Sequence, residues 1–228
     1  MELNKLVYEV LTIAREMSDD SNITESFVKH LIDEYRSKYI QIEYSKRNMV
    51  SQISVQSFNL AMTAVDSSNI STAATGIFIL ESEVLPELIN LNKRPGIIRL
   101  RSIDGIKGDI NFMSLDRAQE TSYSKFKTIN AYLDNNNKLY ITGNKPSALL
   151  ITNVVVDAVL VSPAEVMDYA YRDRTVGDDL TDYPIPASMW SFVKQEILND
   201  IITSYKVPTD NVNNQVDDKE IEQAQARR

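Results

Sequence analysis

The chain has 228 residues and a mass of 25.9 kDa, and 43% of its residues are hydrophobic, which suffices for one large domain or two small ones around a packed core. It has no cysteine and a single histidine, His30, which excludes disulfide scaffolds, cysteine nucleophiles, zinc fingers and any metal site that needs two histidines from one chain. Twenty-four basic residues against 32 acidic ones leave a net charge of −8, and an acidic chain without a long basic run is a poor free-standing nucleic-acid binder.

Residues 1–5 lead into a mixed amphipathic segment and do not read as an export signal. No stretch nears the roughly 18 consecutive apolar residues of a membrane span. A reducing cytoplasm, or assembly there into something larger, is the expected setting. Leu3, Leu6, Val7, Val10, Leu11, Ala14 and Met17 recur every three or four residues and predict a first helix. The polar cluster 18–21 ends it. Asn22 with Glu25 forms a capping box for a second helix, and Thr24 is a rival cap. Phe27, Val28, Leu31, Ile32, Tyr35, Tyr39 and Ile42 mark the second stripe, Glu34 and Lys38 form a favourable i,i+4 pair, and the basic YSKRN at 44–48 ends the helix. Two helices with a short link predict an antiparallel hairpin over 1–50. His30 lies on the second helix near Asp33, Glu34 and Arg36. No serine or metal ligand is fixed beside it, so it reads as a surface or interface residue rather than a catalyst.

Residues 51–162 read as a β-rich domain. Ile53 and Val55, then Phe58, Leu60 and Met62, alternate in two registers with a break near Ser57. A polar stop follows at 66–69. Residues 76–80 (GIFIL) form a short buried strand, and Pro86 interrupts any ladder after it. Residues 88–91 and 97–100 flank a turn at Lys93-Arg94-Pro95-Gly96. In the second of these strands Ile98 and Leu100 are expected to face away from Arg99 and Arg101. Gly105 and Gly108 bracket a loop, and Ser114 caps a short helix over 115–120. Residues 128–133 and 138–142 make the clearest hairpin, turning at Asp134-Asn135-Asn136-Asn137. Residues 148–160 form one long strand, or two with a break, covered on both faces over part of their length.

Residues 163–207 read as a C-terminal helical segment. Ser162 caps and Pro163 starts a short helix over 164–171. The acidic stretch 178–186 runs extended, because Pro184 and Pro186 hold the residues before them out of the helical region. Met189, Trp190, Val193, Ile197, Leu198, Ile201 and Ile202 then mark a long helix over 187–205. Residues 208–228 are polar with isolated valines; they form a flexible tail that either stays solvated or orders against a neighbour. The fold class is α+β: an N-terminal helical hairpin, an antiparallel β-rich middle, a C-terminal helix and a disordered polar tail.

The chain contains no GxxxxGK[ST], HExxH or GxSxG, and Gly105-x-x-Gly108 lacks the strand–glycine–helix context of a dinucleotide site. Asp104 with Asp109 suits a hard cation, but nothing fixes their separation. No catalytic, cofactor-binding or metal residue is assigned, and the chain does not read as an enzyme. Charge is sorted along the sequence. Residues 51–90 hold four acids and no base, and residues 91–130 hold eight bases against four acids. Such segments suit head-to-tail packing between copies, with Glu81, Glu83 and Glu87 on one side and Arg94, Arg99 and Arg101 on the other. They suit pairing within the chain as well.

Five phrases carry a resemblance: FVKHLIDEYRSKYIQIEYSKR (27–47), NKRPGIIRLRSIDG (92–105), NFMSLDRAQ (111–119), NAYLDNNNKLYITG (130–143) and YPIPASMWSFVKQEIL (183–198). In their order, over residues 1–205, the chain resembles the head-to-tail connector (neck or ring) proteins of short-tailed, crAss-like bacteriophages. The resemblance implies a structural subunit without cofactor, in a homo-oligomeric ring of roughly twelve copies. It implies the portal protein and other neck or tail proteins as partners, transient non-specific contact with packaged DNA and no membrane. It implies a place in the virion neck or tail after assembly in the host cytoplasm. An acidic wall suits a DNA conduit, since it does not trap a moving polyanion. Two other classes stay open: a non-viral protein-binding module, and a divalent-metal-dependent nuclease using Asp104 and Asp109.

Overall fold

A computed structural model describes residues 2–17, 23–65, 78–103, 109–117, 129–143, 150–168 and 182–204. The polar cluster at 18–21, the Asn22 cap, the stop at 66–69, the start of the 76–80 strand, Asp104, the glycine loop, the end of the 115–120 helix, most of the acidic stretch and the tail lie outside the described residues.

Helix α1 (Leu3–Met17) buries Leu6, Val7, Val10, Leu11 and Ala14, as its spacing predicts. Thr24 starts α2 (Glu25–Arg47): its backbone is extended and its hydroxyl accepts the Phe27 N–H at 3.3 Å, so the rival cap is the one used. Asn48 closes α2 in the left-handed region, at φ 53°, and its N–H donates to the Tyr44 carbonyl. Helix α3 (Ala187–Ser204) follows the two prolines and packs on both α1 and α2. Tyr35 of α2 meets Asp200, and Tyr39 stacks with Phe192, so α3 runs antiparallel to α2. The first and last parts of the chain thus share one three-helix core, in which Trp190 is buried and its indole N–H donates to Glu9 at 3.0 Å.

A 3₁₀ turn, Gln52–Ser54, leads into the strands: β1 (Gln56–Val65), β2 (Phe78–Val84), β3 (Asn90–Leu91), β4 (Arg94–Pro95), β5 (Ile97–Ser102), β6 (Asn111–Phe112), β7 (Ile129–Leu133), β8 (Lys138–Gly143) and β9 (Asn153–Ala158). Seven of them form one sheet in the order β5-β9-β1-β2-β8-β7-β6, antiparallel except for β6–β7, while β3 and β4 form a small separate hairpin. The two outer strands meet: the Ile110 N–H donates to the Leu100 carbonyl at 2.8 Å, and Arg101 bridges Asp109. The sheet is therefore a near-closed barrel filled by alternating residues, among them Phe58, Leu60, Leu100, Ile141, Val154 and Val156.

Four local expectations change. Ile53 sits in the 3₁₀ turn and is exposed, and the inward series begins at Gln56, whose side-chain amide donates to the Pro163 carbonyl at 3.0 Å. The hairpin turn lies at Asn92 and Lys93, both left-handed with φ 46° and 68°, which matches the twist of two-residue hairpins. Gly96 serves a different purpose there: a Cβ would stand 2.7 Å from the Ile89 carbonyl oxygen and 2.9 Å from that of Val159. A bulge in β5 between Ile97 and Arg99 turns Ile98 outward, 47% exposed, while Leu100 stays in the core. Residues Pro163–Asp168 form a 3₁₀ helix, not an α-helix, with the Glu165 N–H on the Ser162 carbonyl. The expectation of a strand covered on both faces is met just past β9, where Val159 enters the helical core and Leu160 the barrel core.

One buried cation ties the two layers together. Arg36 is fully buried on α2. It donates from Nε to the Pro184 carbonyl at 2.9 Å, from Nη1 to Leu160 at 2.8 Å and from Nη2 to Ser54 at 3.2 Å. The Tyr183 ring lies 5.7 Å from the guanidinium carbon, and the Tyr183 hydroxyl donates to Asp33. Burial raises the Asp33 carboxyl above its usual range, and the bond from Tyr183 partly offsets this.

Candidate assembly surfaces

Strand alternation decides which charges reach the outer wall of the barrel. On β2 Leu80 and Ser82 are buried, so Glu81 and Glu83 point outward. On β5 Leu100 is buried, so Arg99 and Arg101 point outward. In the strand order, β2 stands three steps from β5 through β1 and β9, and four steps through β8, β7 and β6. The two strands therefore occupy opposite flanks of the barrel.

The basic flank is partly neutralised from within. Arg99 Nε donates to Asp109 at 2.7 Å, and this bond raises the guanidinium pKa further. Arg101 Nη2 reaches both oxygens of Asp157, at 3.1 and 3.2 Å, and the Ser57 hydroxyl donates to the same carboxylate at 2.6 Å. Arg94 on β4 is exposed. On the acidic flank Glu81 has Lys138 at 3.8 Å and accepts from the Tyr140 hydroxyl at 3.3 Å. Burial, with the nearby Asp134 and Glu81 charges, lifts the Tyr140 phenol above its ordinary pKa. Glu83 is exposed, and the Glu87 N–H donates to the Glu165 carboxylate at 3.0 Å. Among the described residues, no acid of 51–90 pairs with a base of 91–130. The within-chain partners come from elsewhere.

The remaining candidates converge less. His30 is exposed on α2. Asp109 is held by Arg99, Asp104 lies outside the described residues, and among those described no three His, Cys, Asp or Glu side chains gather as a metal cage.

A surface that sequence reasoning missed lies at the barrel seam. Beside the Leu100–Ile110 bond, β5 and the 109–117 segment line a groove of about 1170 Å³. Tyr44 at the end of α2 and the β3–β4 turn flank it. Ile97, Phe112, Met113 and Leu133 line it with apolar surface, while Lys93, Arg94, Arg99 and Arg117 face one acid, Asp109. The excess of bases in 91–130 was its only trace in the sequence, because the pairing that creates the seam is non-local.

The molecule is a near-closed barrel capped by a helical layer, with acids and bases sorted to opposite flanks and no catalytic or metal cluster among the described residues. The chain belongs to the family described as phage tail ring protein 2, whose model matches residues 5–219. It is similar to Ring protein 2 of Bacteroides phage crAss001, with 25% identity over 173 residues that cover 75% of each chain. Family membership makes it a structural, non-enzymatic ring protein of the virion neck or tail. No helix among the described residues is long and apolar enough to cross a membrane.

Proposed function

We propose that this protein closes with copies of itself into a ring of roughly twelve subunits, seated between the portal and the tail and surrounding the path of the DNA. The observation that carries the reading is the sorting of opposite charges to opposite flanks of one barrel. A closed ring needs two different, complementary surfaces on each subunit. Glu81, Glu83 and Glu87 of one copy meet Arg94, Arg99 and Arg101 of the next. Each exposed pair contributes only about 0–1 kcal/mol, but it sets the register and repeats at every interface. The net charge of −8 keeps contact with packaged DNA transient and non-specific. The portal protein and other neck or tail proteins are the partners above and below, and assembly takes place in the host cytoplasm.

Negative-stain imaging of the purified protein, alone and mixed with portal, tests this. Closed rings whose fraction rises with protein concentration, and which stack on the portal, are the expected result. A chain that stays monomeric at every concentration and ignores the portal belongs instead to a monomeric binding module.

A further inference from the structure

The groove at the seam has the features of a peptide site. Ile98 is skipped in the β5–β9 register, since Ile97 pairs with Ala158 and Arg99 with Asp157. On its other side the β5 backbone bonds to the 109–117 segment at Leu100 and pairs at Arg101 with Asp109, and the Arg99 side chain holds the same Asp109. Among the described residues no strand pairs with this edge of β5 at Ile98, which makes it a template for an added strand. Around it stand four bases and one acid, over a lining that is part apolar and part polar. An extended segment with acidic and apolar residues is its complement.

The chain itself contains such a segment. Twenty-four residues follow Ser204, and within them 208–224 carry Asp210, Asp217, Asp218, Glu220 and Glu222 against Lys219, with Val212, Val216 and Ile221 interspersed. The family match runs through most of this stretch, to residue 219. The helical layer separates the segment's point of departure from the groove. Asp200 sits beside Tyr35, whereas Tyr44, at the groove, is nine residues further along α2, roughly 14 Å away at 1.5 Å per residue. Ser204 lies about another turn beyond Asp200. Donor and acceptor therefore stand at opposite ends of the layer, the arrangement of a head-to-tail contact. Twenty-four extended residues reach up to about 80 Å, ample to cross to a neighbour.

We infer that the groove receives residues 208–224 of a neighbouring copy, laid as an extended strand against β5 at Ile98. The inference rests on the ring reading for the neighbour's identity.

The absence of cysteine allows a direct test in the full-length chain. One preparation carries Val216→Cys and the other Ile98→Cys; they are mixed, oxidised mildly and run on a non-reducing gel. Leu115→Cys, on the opposite wall of the groove, replaces Ile98→Cys if that variant folds poorly. The expected product is a mixed covalent dimer. Its yield falls about tenfold when the groove chain also carries Lys93→Glu and Arg117→Glu, which turn attraction into repulsion without touching Arg99 or Arg101. Leu150→Cys, exposed at the far end of the barrel, gives no dimer. Three results overturn the inference: no dimer, an equal yield with Leu150→Cys, or closure within one chain when both cysteines share it. Imaging the same samples separates the two readings. Rings without the link reject the groove contact alone, links without rings reject the ring alone, and the loss of both rejects both.

Discussion

A guanidinium removed from water costs several kcal/mol unless its donors are met. Arg36 meets that condition with three carbonyls from three separate segments, at Ser54, Leu160 and Pro184. Arg36→Met leaves all three without their donor and is expected to lower stability by about 3–5 kcal/mol, read from the urea midpoint. Arg36→Lys is expected to recover little, because one ammonium cannot span the three oxygens. A wild-type midpoint for either variant would show that the carbonyls find other donors. A second residue-scale prediction concerns alkaline pH. Tyr35 donates its phenol to Asp200, and this bond, with burial, pushes its pKa up to about 12 from an ordinary value of 10.0. Burial carries Tyr183 well above its ordinary value too. A folded pKa above the unfolded one means stability that is complete below pH 10 and is lost as pH rises through about 12. The urea midpoint is therefore expected to fall between those values. Tyr35→Phe is expected to lower the midpoint at neutral pH and to flatten part of the alkaline fall. A slope unchanged by the substitution would put the loss elsewhere.

Elements differ in how far they depend on distant chain. Gly96 lies where the β3–β4 hairpin presses on the end of β9, with its carbonyl accepting the Val159 N–H at 2.8 Å and Ile89 donating to the Val159 carbonyl at 3.0 Å. A Cβ there meets two backbone oxygens, so Gly96→Ala is expected to cost about 1–3 kcal/mol and to lift the hairpin, measurable by urea unfolding and by faster amide exchange at Ile89. The turn between β7 and β8 is shaped by local bonds, with one distant tie, the Leu85 N–H donating to the Asn137 carbonyl at 2.7 Å. Asp134 accepts the Asn136 and Lys138 N–H groups at 2.9 and 2.8 Å, and Asn137 takes φ 56°. Two glycines inserted after Asn135 are expected to cost only about 1 kcal/mol and to leave the β7–β8 register intact; collapse of the fold would mean that the turn is packed, not exposed. The same contrast explains what the sequence made legible. The three helices and the β7–β8 hairpin followed from periodicities and turn residues that act over a few positions. Barrel closure depends on Ile110 finding Leu100, and β6 is a two-residue parallel strand, so neither leaves a periodic trace. The bulge at Ile98 breaks the alternation that placed it inside. Arg36 is spaced four residues from both Ile32 and Ile40, which are buried, but its charge disguised a core position. Alternation did give the outward direction of Arg99 and Arg101; that β2 and β5 stand on opposite flanks needed the strand order.

At the scale of the whole molecule the barrel has two ends and two charged flanks. Ile89, Leu91 and Val159 join the helical core at one end, while Val65, Phe78, Ser102, Ile129, Gly143 and Asn153 gather at the other. A ring that closes through the flanks leaves both ends free to face what lies above and below. The flank charges can then be tested by reversal. Glu81→Lys with Glu83→Lys is expected to lower the ring fraction in analytical ultracentrifugation, and most at low salt, where like charges are least screened. Arg99→Glu with Arg101→Glu is expected to do the same. Because Arg99 and Arg101 also hold Asp109 and Asp157, part of that loss is internal, and the urea midpoint of the monomer measures this part separately. The quadruple variant, in which each new charge again meets its opposite across the interface, is expected to regain part of its rings. Each pair contributes only about 0–1 kcal/mol, so the recovery depends on repetition around the ring. Normal assembly of both double variants would mean that the flanks face solvent. If both fail and the quadruple is worse than either, the flanks matter but do not meet, and the register is set by other contacts.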